Sequence, residues 1–290
     1  MQVIYIFALA ICKQMYKLNF KNIKMTKTIL VTGASSGFGL MVANQLHKSG
    51  YTVIGTSRNP EKHQSSVPFK LLALDISDDN SISNFTTQLF SEVRKLDVLI
   101  NNAGFYLSGL AEETTIEQGR IQLETNFWGT VKLTNELLPH FRKQRFGKII
   151  TVGSIMGLLS FPSAAYYAAS KHALEGYFKA LRFELNEFNI KVAMVEPTGF
   201  KTNVISNSIA AERKIDDYSS YRKKVAAFAQ DLFSKAPEAT PVIDVLLKLV
   251  EEKNPKFNHP VGKGTSMLLG LQHFSYKTYE KAIIKSINKI

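Results

Sequence analysis

Tyr167 and Lys171 stand four residues apart, and Ser154 lies thirteen residues before the tyrosine, in the stretch S-I-M-G-L-L-S-F-P-S-A-A-Y-Y-A-A-S-K. If 164–185 is helical, the tyrosine and lysine stack on one face a turn apart. A tyrosine titrates near ~10 and is a poor base at neutral pH. A neighbouring ammonium stabilises the phenolate and lowers that value, which makes the phenol a usable proton donor or acceptor. The same spacing arises by chance on amphipathic helices whose lysine simply faces water. The elements that position these residues must decide between the two readings.

The chain from Lys27 alternates strands with helices. An apolar, β-branched run at 28–32 leads into Gly33-Ala-Ser-Ser-Gly-Phe-Gly39, and an apolar periodic stretch carrying Leu40, Val42, Ala43 and Leu46 follows, closed by Gly50. Strand, glycine-rich turn and helix together let backbone N–H groups and a helix N-terminus meet a pyrophosphate. Gly33, Ser35, Ser36, Gly37, Phe38 and Gly39 are therefore candidate dinucleotide contacts. The spacing is G-x-x-x-G-x-G, not the G-x-G-x-x-G of two-domain dehydrogenases.

A second strand at 51–56 ends at Ser57 and Arg58, where an NAD-binding chain would place an acid against the ribose hydroxyls. A serine and a cation accept a 2′-phosphate instead, so NADP(H) is favoured, with NAD(H) as the alternative. Arg58 reads equally as a solvated loop residue if that site is absent. A third strand at 69–74 ends in Asp75 and Ile76, which face the adenine in this reading. Ser81 reads as the cap of a helix at 81–95. The fourth strand, 97–100, runs into Asn101-Asn102-Ala103-Gly104, a cofactor-facing loop or an ordinary turn. A long helical stretch at 114–141 carries Asn126 and Gly129 in its interior, where both lower helix propensity and need a packing or functional reason.

A fifth strand at 148–152 delivers Ser154, and a sixth at 191–195 is followed by Pro197, Thr198, Gly199 and Thr202. A seventh strand is expected at 257–261 on the sheet edge. The alternation implies an α/β chain with a Rossmann-type, doubly wound parallel sheet of about seven strands, three layers deep, as one domain over 25–290. Its ligands belong beyond the carboxyl ends of the strands. The 200–235 segment is polar, interrupted and aromatic, a substrate lid or a surface excursion. Residues 264–288 read as a basic amphipathic C-terminal helix, packed on the body. Phe105, Met156 and Phe161, with Ser154, form the expected substrate wall, together with Tyr106, Leu107 and Leu158. It is apolar and suits a hydrophobic ketone, aldehyde or secondary alcohol.

At 290 residues, 45% hydrophobic and 21% charged, the chain has the length for one large core. Lys+Arg exceed Asp+Glu by 36 to 24, a formal +12. That balance would suit a polyanion, but no nucleic-acid-binding pattern accompanies it. The single cysteine, Cys12, rules out an internal disulfide framework and a cysteine metal cluster, and fits a cytoplasmic, reducing setting. Residues 1–24 hold an apolar run at 3–11 too short to span a bilayer, then four lysines without acids. Met25 reads as the working start, with an uncleaved membrane anchor in 1–24 as the alternative.

Taken together, T-G-A-S-S-G-F-G at 32–39, N-N-A-G at 101–104, Asn126, the Ser154–Tyr167–Lys171 set and Pro197-Thr198-Gly199 resemble the short-chain dehydrogenase/reductase family in its single-domain branch. The last motif departs mildly from that family's usual Pro-Gly. The resemblance implies that Tyr167 exchanges a proton with the substrate oxygen, and that Lys171 holds the nicotinamide ribose and lowers the tyrosine's pKa. It further implies that Ser154 steadies the substrate oxygen and that Asn126 holds a water linking Lys171 to solvent. Thr198 and Thr202 would reach the nicotinamide. A homodimer or homotetramer through helices 114–143 and 164–186 is implied as well. A non-enzymatic NADP(H) sensor on the same fold is the alternative, disfavoured because Ser154, Tyr167 and Lys171 are all present. An extended-branch epimerase is disfavoured by the glycine spacing.

Overall fold

The computed structural model describes residues 26–202 and 208–289. The extension 1–24, Met25 and the 203–207 part of the expected lid lie outside the described residues.

Nine strands are present among the described residues: β1 (Thr28–Val31), β2 (Thr52–Ser57), β3 (Lys70–Ala73), β4 (Val98–Asn101), β5 (Leu107–Ser108), β6 (Gly147–Val152), β7 (Ile190–Pro197), β8 (Ile209–Ala210) and β9 (Asn258–Val261). Seven form one sheet in the order β3-β2-β1-β4-β6-β7-β9, every pairing parallel. The order reverses between β1 and β4, which opens a crevice beyond their carboxyl ends. β5 and β8 pair separately, Leu107 opposite Ile209, a small sheet that the sequence pattern does not announce.

The helices are α1 (Gly37–Lys48), α2 (Asp79–Glu92), α3 (Ile116–Leu123), α4 (Thr130–Gln144), α5 (Ala165–Leu185), α6 (Ser219–Ser234), α7 (Thr240–Glu251), α8 (Thr265–Phe274) and α9 (Tyr276–Asn288). Successive strand residues face opposite sides, so Ile29 and Val31 pack with α1 and α7 while Leu30 packs with α2, α4 and α5. Both faces are covered, which is why the strands read as continuous apolar runs. The three-layer, seven-stranded parallel sheet expected from the alternation is what the chain forms.

Three boundaries differ from the sequence reading, each for a local reason. Asp78, not Ser81, caps α2, accepting from Asn80 N, while the Ser81 hydroxyl accepts from Asp75 N at 2.9 Å. The 114–141 stretch is not one α-helix: α3 and α4 are joined by a π-helical turn at Glu124–Gly129. There a Cβ on Gly129 would stand 2.1 Å from the Ile76 carbonyl, so the helix passes the end of β3 too closely for any side chain. The C-terminal segment is two helices, because Ser275 leaves helical backbone (φ −156°, ψ 84°). That break lets Tyr279 turn inward, where its hydroxyl donates to Ser160 O at 2.7 Å.

Candidate active site

The motifs singled out by sequence follow the carboxyl ends of the main sheet's strands or lie on the helical segments beyond them. Thr32 follows β1, and its hydroxyl accepts from Asn102 N at 2.8 Å and Ala103 N at 3.0 Å. Asn102 Nδ2 donates back to Thr32 O at 2.9 Å and Gly33 O at 3.3 Å. Asn102 and Ala103 thus lock the glycine turn to the end of β4. Thr32 opens the T-G-A-S-S-G-F-G motif, but its role in tying the turn to the loop after β4 has no signal in the sequence.

The turn itself is shaped for a close ligand. Gly33 and Gly37 adopt φ +64° and +54°, a conformation that favours glycine. Ser36 caps α1 without a side-chain hydrogen bond, and the helix has no acid in its first turn. Its leading N–H groups are left to an anion. The Phe38 ring packs edge-on against buried Phe200, centroids 6.3 Å apart, which leaves its backbone to the turn. The residues present therefore fit a dinucleotide pyrophosphate. At the end of β2, Ser57 is buried and its hydroxyl accepts from Asn59 N at 3.2 Å. Arg58 is exposed and, among the described residues, forms no ion pair. Asp75 Oδ1 takes the N–H and O–H of Ser77, and Ile76 lies buried against α2 and α4.

The residues expected to be catalytic come together from the end of β6 and from α5. Ser154, straight after β6, is buried and accepts from Met156 N at 3.1 Å. Tyr167 and Lys171 fall in the first two turns of α5, and the lysine Nζ donates to Val152 O at 3.0 Å, 5.8 Å from the tyrosine ring centroid. Burial pushes the Tyr167 phenol up to about 12; the Ser154 hydroxyl beside it acts in the lowering direction, and Tyr106 adds to the rise. Burial also depresses Lys171 to about 8, with Glu175 opposing the fall. The net shift of the tyrosine is upward, because burial outweighs the lowering contributions.

Asn126 is buried in the π turn, with Oδ1 accepting from Phe105 N and Nδ2 donating to Phe105 O, both at 3.0 Å, and Nδ2 also donating to Ser170 Oγ at 3.3 Å. Its side chain fixes the loop after β4 rather than touching Lys171. A Cβ on Gly104 would approach its Oδ1 to 2.9 Å, so a side chain there would have to displace the Asn126 amide. Of the expected substrate wall, Tyr106 stands edge-on to Tyr167 with centroids 4.8 Å apart. Met156 and Phe161 pack with Ile155, Leu159 and the α8 leucines. Phe105 is half-buried, held by Asn126 at both backbone groups.

Pro197 ends β7, Thr198 N donates to Val261 O at 2.9 Å, and Phe233 of α6 lies 3.2 Å from where a Cβ on Gly199 would stand. Thr202 borders the undescribed 203–207 gap. The lid-side segment is tied to the body by Glu113, 2% exposed, whose carboxylate takes Arg222 Nε and Nη2 and Ile215 N. Glu113 is polar and unremarkable in sequence, so nothing short of the fold marks it.

The short chain dehydrogenase family model matches residues 27–213. An uncharacterized oxidoreductase of Bacillus subtilis, YusZ, is 37% identical over 277 residues, covering 90% of this chain and 98% of its own. A 3-ketodihydrosphingosine reductase of Bacteroides thetaiotaomicron is 37% identical over 236 residues, covering 81% and 87%. Among solved structures, a short-chain dehydrogenase from Streptomyces avermitilis superposes with TM-score 0.79 at 29% identity, covering 91% of this chain and 98% of that one. ElxO with NADP bound superposes with TM-score 0.71 at 28% identity, covering 84% and 100%.

Proposed function

The chain belongs to the short chain dehydrogenase family of oxidoreductases, and from that premise we propose that it is an NADP(H)-dependent enzyme interconverting a carbonyl and an alcohol on a small hydrophobic substrate. The observation that carries this reading is the convergence of Ser154, Tyr167 and Lys171 beside Tyr106, in a parallel sheet whose first strand leads into a glycine turn open to an anion.

The glycine turn and the N-terminus of α1 would hold the pyrophosphate, Lys171 the nicotinamide ribose, and Pro197, Thr198, Gly199 and Thr202 the nicotinamide side. When bound, the nicotinamide supplies or accepts the hydride. Tyr167, protonated at neutral pH, would give its proton to the carbonyl oxygen in the reducing direction. Ser154 donates a hydrogen bond to the same oxygen as charge develops on it. The preference for NADP(H) rests on Ser57 and on Arg58, a guanidinium without an ion pair among the described residues. The apolar wall of Met156, Phe161 and the α8 leucines supports a hydrophobic ketone, aldehyde or alcohol.

Self-association is part of the reading, since Ile116, Ile121, Trp128 and Phe183 expose large apolar side chains on α3, α5 and the turn between α3 and α4. A cytoplasmic setting is supported by the lone Cys12. Among the described residues, no helix is long and apolar enough to cross a membrane.

The test is NADPH oxidation, with NADH in parallel, across apolar ketones and aldehydes that include 3-ketodihydrosphingosine. The expected result is turnover favouring NADPH that is lost in Tyr167→Phe while NADPH still binds. Undiminished turnover in Tyr167→Phe would overturn the assignment, and equal use of the two cofactors would overturn the preference.

A further inference from the structure

Two acids that the catalytic reading leaves unused lie one turn beyond Lys171. Glu175 follows the lysine by four residues on α5, and Glu196 sits on β7 immediately before Pro197. Glu196 is fully buried and Glu175 is 5% exposed. Because β9 pairs with β7, Asn258 comes to lie between them: its Nδ2 donates to Glu175 Oε2 at 2.8 Å and to Glu196 Oε1 at 2.7 Å. The other Glu196 oxygen accepts from His259 N at 2.8 Å.

Among the described residues neither carboxyl forms an ion pair, and Glu175 Oε1 finds no donor. The common Asn258 donor therefore holds two buried carboxyls together on one amide group. Like charges this close in a low dielectric cannot both ionise. The site is closed as well: a Cβ on Gly157 would meet Glu175 Cγ at 3.2 Å and one on Gly153 would meet Glu175 Oε1 at 3.4 Å.

Lys171, His172 and Lys179 are the charged or titratable neighbours that reach Glu175 from α5. On β9 the His259 ring is engaged with Lys256 O at 3.1 Å. Burial raises both acids, Glu196 to about 8, so the pair keeps a proton at neutral pH.

We propose that Glu175 and Glu196 are positioning residues that hold one proton between them beside the Asn258 amide that bridges them. The single negative charge left on the pair keeps Lys171 an ammonium, and the bonds of Glu196 to Asn258 and His259 tie β9 to the strand that leads into the Pro197–Gly199 loop. The effect on Lys171 rests on the function proposed above; the shared proton does not.

The proton is read by the infrared difference spectrum of wild type minus Glu196→Gln at pH 7. A protonated-carboxyl stretch lost in the variant is expected, and its absence from wild type overturns the proposal. Glu196→Gln keeps a neutral donor in place and is expected to fold with wild-type secondary structure. The coupling is read without any substrate, from the NADPH dissociation constant between pH 6 and 10. Wild-type affinity weakens as Lys171 loses its proton, and in Glu175→Gln that onset moves down by about one pH unit. A merely structural role would lower affinity by the same factor at every pH, and an unmoved onset overturns the coupling. Failure of wild type to bind NADPH or NADH would reject the cofactor reading and the coupling with it, while the infrared band still decides the shared proton.

Discussion

Gly39→Ala is the substitution whose cost follows most directly from the geometry. A Cβ at this position would stand 2.3 Å from Gly33 O, 2.4 Å from Asn102 Nδ2 and 3.0 Å from Gly33 C. Backbone surrounds it on one side, so the glycine turn itself must retreat by about 1 Å to reach ordinary contact. The retreat breaks the Asn102 bonds to Thr32 O and Gly33 O, each with a net contribution of about 1 kcal/mol. Overpacking adds about 1–3 kcal/mol. The sum, about 3–5 kcal/mol, predicts a fall in Tm of roughly 6–20 °C for a domain of this size. It also predicts weaker NADPH binding, by up to about 100-fold if misplacement by 1 Å acts as it does elsewhere. The assay pairs a thermal melt with NADPH fluorescence titration. Gly176→Ala serves as the control, because nothing lies within 4 Å of its Cβ in the middle of α5, and it is expected to stabilise by up to about 1 kcal/mol. Unchanged Tm and NADPH affinity in Gly39→Ala would refute the account of the turn.

Three further outcomes follow from the site. Lys171 is depressed from 10.5 to about 8, so its ammonium is present below that pH and lost above it; carbonyl reduction should fall with one-proton dependence as pH rises through about 8, and a flat profile to pH 10 would contradict the role given to the lysine. Arg222 holds the Glu113 carboxyl below its usual range, so that contribution to stability is present above the unfolded value near ~4.3 and is lost as pH falls through the lower folded value. Glu113→Gln should therefore flatten the acid limb of stability and open the 208–235 segment to limited proteolysis, and a cleavage rate equal to wild type would argue against the tie. Trp128→Glu combined with Phe183→Glu should shift gel filtration toward the 32.5 kDa monomer, whereas an unchanged elution volume would exclude these faces as the interface.

The strand, glycine turn and α1 were readable in the chain because each depends on neighbours within a few residues: β-branched run, φ-permissive glycines, 3.6-residue period. The order of Ser154, Tyr167 and Lys171 was readable for the same reason, since the last two share one helix face. The sense of their pKa perturbation was not. It depends on burial under Tyr106 and on Lys171 donating to Val152, and both are set by how β6, α5 and the loop after β4 come together. Asn126 could be marked as out of place in a helix, but its partner, the Phe105 backbone, lies 21 residues away across the π turn. Residues 62 and 83 positions apart meet at Asn258 only because β9 adds next to β7. Local sequence thus determined the elements and the chemistry they carry, because backbone preference and side-chain periodicity act over a few residues. Strand order alone decided which charges are buried together, because desolvation and hydrogen-bond pairing depend on contacts that exist only once distant segments have packed.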